Sequence, residues 1–194
     1  KAAPQATTMQ VQSSPDNNTW TNIPGATNVS LTTSQLASTY YRLVVTCTNG
    51  GTSSNSTSIQ VVSPALVSGT FTINNALPTG GSNFNSFNDA SNYIKCGING
   101  PVVFNVDAAS GPYTEQLIID PVFGTSSLNT VTFNGNGRTM YYASANTNQR
   151  AIITLDGADH IKIKSLVLDA SAGTYGSGVW MINNADNNNI EDCI

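Results

Sequence analysis

The chain has 194 residues, a formal net charge of −4 and only 9% charged residues, against roughly 25% in average soluble proteins. A pI near 4.6 leaves no basic footprint for nucleic acid or anionic lipid, and no stretch approaches the apolar length that a membrane span needs. Ser, Thr, Asn and Gly supply the polarity, which suits strands and tight turns better than long surface helices.

The first residues, Lys1-Ala2-Ala3-Pro4, lack the apolar core of a signal peptide. An extracellular protein would therefore have lost its signal, or the chain is an internal piece. The three cysteines, Cys47, Cys96 and Cys193, are odd in number and form no C-x-x-C pair, which argues against a zinc or thioredoxin-type site. They are expected to be small buried hydrophobes with at most one disulfide. A nucleophilic cysteine would need a nearby base, and His160 is the only histidine.

Taken in order, Met9 to Ser14 alternates, Pro15-Asp16-Asn17-Asn18 turns, and Thr19 to Ile23 alternates again. Pro24-Gly25 breaks the chain, and Val29 to Leu31 is expected to be a short strand. Tyr40 to Cys47 is the longest run. Asn49-Gly50-Gly51 signals a hairpin, with Ser58 to Val62 as the returning strand. A Tyr before a Cys on a late strand is an immunoglobulin-like feature. "QSSPDNNTWTNIPGAT" and "STYYRLVVTCTNGGTSSNSTSIQVV" resemble the immunoglobulin-like repeats of very large secreted surface proteins of Bacteroidota. Those repeats begin with two further strands, the second carrying a cysteine opposite the one that matches Cys47, and neither strand is in this sequence. Their core Trp, in a Tyr-Gln-Trp-Gln context, is Val11 here. The resemblance thus implies residues 1–64 as a partial sandwich, with upstream sequence lost.

Ser63-Pro64-Ala65 is the expected junction, short enough for rigid coupling. Residues 65–100 are expected to be linker and cap. Gly69 to Ile73 is a strand, and Phe84, Phe87, Ala90, Tyr93 and Ile94 share one face of a helix over 84–95. Asn85 or Ser86 can cap its start, Asp89 favours its first turns, and Gly97 lies past its end. A lone amphipathic helix before a solenoid reads as the plug over its first open coil.

From Val131 to Ile194 the chain repeats itself. Val131-Thr132-Phe133-Asn134-Gly135 aligns with Ile153-Thr154-Leu155-Asp156-Gly157 at an offset of 22 (153 − 131). Leu155 to Asp159 aligns with Ile182 to Asp186, and Ile163 with Ile190, at an offset of 27 (190 − 163). A β-branched run, a polar Asn/Asp/Gly corner and a second apolar run form the unit of a right-handed parallel β-helix, whose coils bury their faces by stacking. Residues 101–194 are expected to be such coils. Because Ile194 ends on an apolar residue within a coil, they are expected to continue beyond it. "NFNSFNDASNYIKCGINGPVVFNV", "GPYTEQLIIDPVFGTSSLNTVTFNGNG" and "DGADHIKIKSLVLDA" resemble the start of a pectate-lyase-like parallel β-helix in the same Bacteroidota proteins. The fold expected is all-β: a partial immunoglobulin-like sandwich, then a right-handed parallel β-helix with an N-terminal capping helix.

Candidate chemistry is sparse. Asp156, Asp159, Asp169, Asp186, Glu191 and Asp192 are the acids of the repeated coils. Asn134, Asp156 and Asn183 occupy equivalent places in the alignment, as do Asp159 and Asp186, so each set would stack about 4.8 Å apart. A turn ladder, with side chains bonding corner backbone, is the favoured reading. Glycoside hydrolysis would need a carboxylate pair roughly 5–10 Å apart, and Asp159 with Asp186 is the pair to test. A lyase would need a basic residue, and Lys162 and Lys164 both point outward by alternation. Solvated edge positions are the favoured reading for those two. Asp186 and Asp192 offer oxygens to calcium, but with no EF-hand or nonapeptide repeat the expectation is no cofactor. His160 is expected to be surface. Trp180, Tyr141, Tyr142 and Tyr175 are the candidates for stacking on sugar, Trp180 first. Yet matching Ile182 to the core residue Leu155 would turn Trp180 inward. Thr130/Thr132 forms one Thr-x-Thr row and is not repeated cleanly, so an ice-binding face is rejected.

The expected function is a non-enzymatic spacer and adhesive module, binding glycans or solid surfaces weakly and multivalently alongside further modules of one long chain. The alternative is a carbohydrate-active enzyme of the pectate-lyase-like class. The resemblance implies a secreted, cell-surface location, with type IX secretion and gliding adhesins as the setting.

Overall fold

The structure, a computed structural model, describes residues 6–35 and 37–194; the Lys1–Pro4 stretch lies outside the described residues. Two compact units divide at Pro64, Lys1–Pro64 and Ala65–Ile194.

The first unit contains β1 (Thr7–Ser14), β2 (Thr21–Asn22), β3 (Thr39–Cys47), β4 (Ser53–Asn55) and β5 (Ile59–Val61). They form one antiparallel sheet in the order β2-β1-β3-β4, with β5 also beside β3. Register puts Val11 opposite Leu43 and Ile59 opposite Tyr41, so these side chains share a face. On the other face Gln12 lies opposite Arg42, whose Nε donates to Gln12 Oε1 at 2.8 Å and whose guanidinium sits 4.1 Å over the Trp20 ring. Val29 to Leu31 is not a strand, and Val29 is 83% exposed. Two alternating apolar residues do not make a strand without a partner to bond. Among the described residues of this unit there is a single sheet, not two facing sheets.

The second unit is a parallel β-solenoid of about 4 turns. Its strands are β6 (Val67–Ile73), β7 (Asn83–Phe84), β8 (Ile98–Val106), β9 (Tyr113–Thr114), β10 (Leu117–Ile119), β11 (Val131–Tyr141), β12 (Ala151–Asp156), β13 (Ile161–Asp169), β14 (Ser177–Ile182) and β15 (Asn189–Glu191). One seven-stranded sheet runs β15-β13-β11-β8-β6-β7 with β9 beside β11, and a three-stranded sheet runs β10-β12-β14. The solenoid thus begins at β6, not at residue 101. Phe71, Phe104, Phe133, Ile163 and Ile190 stack in register down the large sheet. Phe104 and Phe133 lie ring on ring at 5.0 Å, both fully buried.

The true coil step in that row is 29 residues from Phe104 to Phe133 (133 − 104), 30 to Ile163 (163 − 133) and 27 to Ile190 (190 − 163). The offset of 22 compares two faces of one coil, β11 in the large sheet with β12 in the small one. Both are core runs that meet an Asn/Asp-Gly pair, at a bend within β11 and at the end of β12, which is why they look alike. The corners carry left-handed residues, including Asn136, His160, Asn183, Asn184 and Asn187, where Asn tolerates positive φ better than most side chains.

The helix α1 (Phe87–Tyr93) is shorter than 84–95, because Phe84 belongs to β7 and Ser86 is the N-cap, accepting from the Asp89 N–H at 3.0 Å. Glu115 adds a carboxylate at the same end, taking the N–H groups of Phe87 and Asn88 at 2.9 and 3.0 Å, where the helix dipole favours negative charge. Phe87, Ala90 and Ile94 are fully buried in the solenoid core, and α1 touches β10, β6 and β7. All three cysteines are free thiols: Cys96 is exposed, and Cys47 and Cys193 are half-buried. The buried-hydrophobe reading does not fit Cys96, which follows the helix at the surface. No described helix is long and apolar enough to cross a membrane.

Candidate functional site

The large sheet changes direction at Asn134–Arg138, where the β11–β13 register shifts. Gly135 permits the bend: a Cβ there would meet the Leu166 side chain at 2.3 Å. Beyond it, β9, the second half of β11 and the end of β13 lie side by side. Tyr113 and Met140 pair in register and are buried, so alternation sends Thr114, Tyr141 and Asp169, the next row, outward.

That row forms one wall of a cleft of about 530 Å³ lined also by Ser110, Gly111, Pro112, Gly137, Arg138 and Thr139. Arg138 pairs in register with the buried Leu166, on the face of Met140, and its Nε is buried without a hydrogen-bond partner. It makes no ion pair with a described carboxylate, the ion pairs being Lys95–Asp120 and Lys164–Glu191. Asp169 is held below the usual carboxylate range by hydrogen bonds from the Ser171 hydroxyl and N–H. It stays ionised at neutral pH. The cleft therefore offers an anion, an aromatic ring and threonine hydroxyls, with Arg138 in its lining. Beneath it, Tyr113 Oη lies 2.7 Å from Ser110 Oγ and donates to Ile73 O at 3.1 Å, which fixes the floor.

Of the sequence-derived candidates, Tyr141 and the coil acid Asp169 are in this cleft. Tyr142 is partly buried against the core, its N–H donating to Asp169 O at 3.1 Å. Tyr175 is 39% exposed and bridges to Ser144. Trp180 is in register with Thr154 and Ile118. Since Ile118 is 41% exposed between the buried Leu117 and Ile119, that row faces outward, and so does Trp180. The inward expectation fails because β12 and β14 are offset by 26 residues (180 − 154), not 27. The extra residue is absorbed at the corner before β15. The Arg150 guanidinium stands 5.0 Å over the Trp180 ring, covering one of its faces.

Asp159 and Asp186 are brought together at a corner, where Asp159 Oδ1 accepts the Asp186 N–H at 2.7 Å. Asp156 Oδ1 likewise accepts from Asn183 Nδ2 at 2.6 Å. Asn134 belongs to a different ladder, donating through Nδ2 to Asn105 Oδ1 at 3.1 Å. Lys162 and Lys164 occupy the outer face of β13, opposite Asn189 and Glu191, and Lys164 pairs with Glu191. Among the described residues no three His, Cys, Asp or Glu side chains gather as a metal site would require.

Thr114 was missed, and Asp169 was named only among the coil acids, apart from Tyr141. Thr114, Tyr141 and Asp169 sit on three successive coils, at steps of 27 (141 − 114) and 28 (169 − 141) along the outward row. The correct coil period is the signal that would have aligned them.

A family model described as a domain of unknown function (DUF8696) matches residues 1–63. The match covers the antiparallel-sheet unit, and the solenoid with its cleft lies outside it. No curated protein and no solved structure matches the chain.

Proposed function

We propose that this chain is a non-enzymatic structural and adhesive module of a secreted surface protein of the Bacteroidota type, and that the cleft beside β11 is where it holds glycan. In this reading the sheet unit is an immunoglobulin-like repeat, the solenoid winds right-handed, and α1 plugs its first coil. The observation that carries the glycan reading is the side-chain set of the cleft. A tyrosine ring, two threonine hydroxyls and a single carboxylate can hold a polyol by stacking and hydrogen bonds. Hydrolysis with two carboxyl groups finds only one there. Asp159 and Asp186, the nearest to a pair, lend an oxygen to corner backbone, as a turn ladder does. Weak binding at one cleft would gain strength when further modules of a long chain engage together.

The test is a glycan-array screen of the whole chain with polysaccharide cleavage assayed in parallel. Binding without cleavage is expected, with Tyr141→Ala weakening it about tenfold, as loss of a central aromatic contact does. Cleavage would favour the alternative, a carbohydrate-active enzyme, and make Asp159, Asp186, Lys162 and Lys164 the first residues to replace. Neither activity from folded protein would leave a spacer.

A further inference from the structure

Away from the cleft, we infer that Asn49 of the sheet unit is a site of spontaneous covalent modification, converting to isoaspartate and aspartate while the other asparagines that precede glycine stay intact. The sequence has four Asn-Gly pairs, beginning at Asn49, Asn99, Asn134 and Asn136. In each, the missing Cβ of glycine leaves the next main-chain nitrogen open to the asparagine side chain. That nitrogen attacks the asparagine Cγ and gives up its proton. The bond from Cγ to the side-chain amide nitrogen breaks, ammonia leaves, and a five-membered succinimide remains. Water then opens the ring at one carbonyl or the other, giving aspartate or isoaspartate. Solvent water is the only co-reactant.

The fold decides which pair reacts, because the attack needs a side chain free to turn and a main chain free to bend. Asn49 lies in the turn between β3 and β4, and Thr48, Asn49 and Gly50 are all exposed. Among the described residues the Gly50 N–H has no partner. A Cβ at Gly50 would meet nothing nearer than Thr52 Oγ1 at 3.9 Å. β4, which follows, is three exposed residues, so the turn opens locally at small cost. The other three pairs are held. Asn134 donates through Nδ2 to Asn105 Oδ1 at 3.1 Å, and a Cβ on the buried Gly135 would meet Leu166 at 2.3 Å. Asn136, at φ 51, donates through Nδ2 to Val106 O at 3.3 Å. Asn99 lies within β8, and Ser68 stands 3.0 Å from the Cβ position of Gly100. Isoaspartate routes the main chain through the side-chain carbon and so lengthens it by one methylene. At Asn49 that methylene falls between Cys47 and Thr52, whose N–H to O bond of 2.9 Å closes the turn. Conversion therefore loosens this end of the sheet unit.

The test incubates the whole chain at pH 8 and 37 °C and follows each Asn-Gly pair by peptide mass spectrometry, with fragmentation that separates isoaspartate from aspartate. Asn49 should convert at least about tenfold faster than Asn99, Asn134 and Asn136, which react only after their surroundings open. In urea all four should convert within about threefold of one another, because the folded packing that set them apart is gone. Gly50→Ala should slow Asn49 about tenfold by crowding the attacking nitrogen. That crowding acts in urea as well, so the readout stands even if the variant misfolds. Amide hydrogen exchange over residues 43–56 should rise once Asn49 has converted. An Asn49 that stays intact in the folded chain overturns the inference, as does any of the other three keeping pace with it there. A rate unchanged by Gly50→Ala also overturns it, and unchanged exchange overturns the loosening of the turn.

Discussion

The two units bury their side chains in opposite ways. In the solenoid, Phe87, Phe104, Phe133, Leu117, Ile153 and Leu155 are fully buried, because each inward row lies between the coils above and below and faces the other sheet. In the sheet unit, Val11 at 8% and Ser14 at 1% are the buried side chains among the described residues, while Ile59 is 69% exposed. Its apolar face, with Val11, Tyr41, Leu43 and Ile59, opens into a depression of about 450 Å³. Alternation alone makes a strand amphipathic. Whether the apolar half is then buried depends on a second layer, which the solenoid makes from its own coils.

The widest gap should appear on truncating equivalent core positions. Phe133→Ala removes a ring stacked on Phe104 and also 6.1 Å from Phe87, and should destabilise the solenoid by about 3–5 kcal/mol. Leu43→Ala, in the half-open sheet, should cost about 1 kcal/mol. Each unit has one tryptophan, Trp20 or Trp180, so Trp→Phe at the other position gives a fluorescence reporter for urea unfolding of each unit. Similar losses in both would show that the sheet unit has a core as tight as that of the solenoid.

Glycine sharpens the same contrast. Gly124 has φ +89, and a Cβ there would stand 2.0 Å from the Ile98 carbonyl oxygen. Gly25, in the sheet unit, has a similar φ of +74 with nothing within 4 Å. Both substitutions to Ala carry the left-handed penalty, but only the first also collides with backbone. Gly124→Ala should cost about 3 kcal/mol and Gly25→Ala about 1 kcal/mol, read from the same unfolding curves. Equal costs would mean that the backbone at Gly124 shifts without resistance.

How much of this was legible follows from what each feature depends on. Short-range patterns were readable: β1 around Met9–Ser14, β3 around Tyr40–Cys47, the turn after Cys47 and the Ser86 cap all rest on neighbours in sequence. The identity of core strands such as Val131–Phe133 and Ile161–Ile163 was also readable, because β-branched and aromatic residues alternate there. Stacking was harder. β11 and β12 carry the same apolar-run-then-corner signature on different faces of one coil, so similarity alone paired Asn134 with Asp156, and in the structure Asn134 bonds Asn105. A one-residue difference between the β12–β14 and β13–β15 steps turned Trp180 outward, since strand faces alternate with every residue. The cleft was the least legible feature, because Thr114, Tyr141 and Asp169 meet only through coil stacking.

The smallest effect tests the floor of the cleft, where the solenoid buries a polar group of a kind the sheet unit leaves accessible. Tyr113 is 3% exposed, and its hydroxyl joins Ser110 Oγ and Ile73 O. Tyr113→Phe leaves both without that partner and should cost about 1–2 kcal/mol at pH 7. Burial pushes the Tyr113 phenol above its ordinary 10.0, its hydrogen bond with Ser110 opposing. The unfolded chain therefore ionises first as pH rises. The contribution from the neutral phenol is fully present below pH 10 and is lost as pH climbs from there through the raised folded value. The Phe variant has no such proton to lose. Its deficit relative to the native chain should narrow above pH 10, while the other tyrosines, common to both proteins, cancel in the difference. Urea midpoints of the two proteins from pH 7 to 11 measure it. A constant deficit across that range would mean that the Tyr113 hydroxyl is open to solvent, and that the cleft floor is no better sealed than the sheet face at Tyr41, whose hydroxyl meets Gln35 at 2.9 Å.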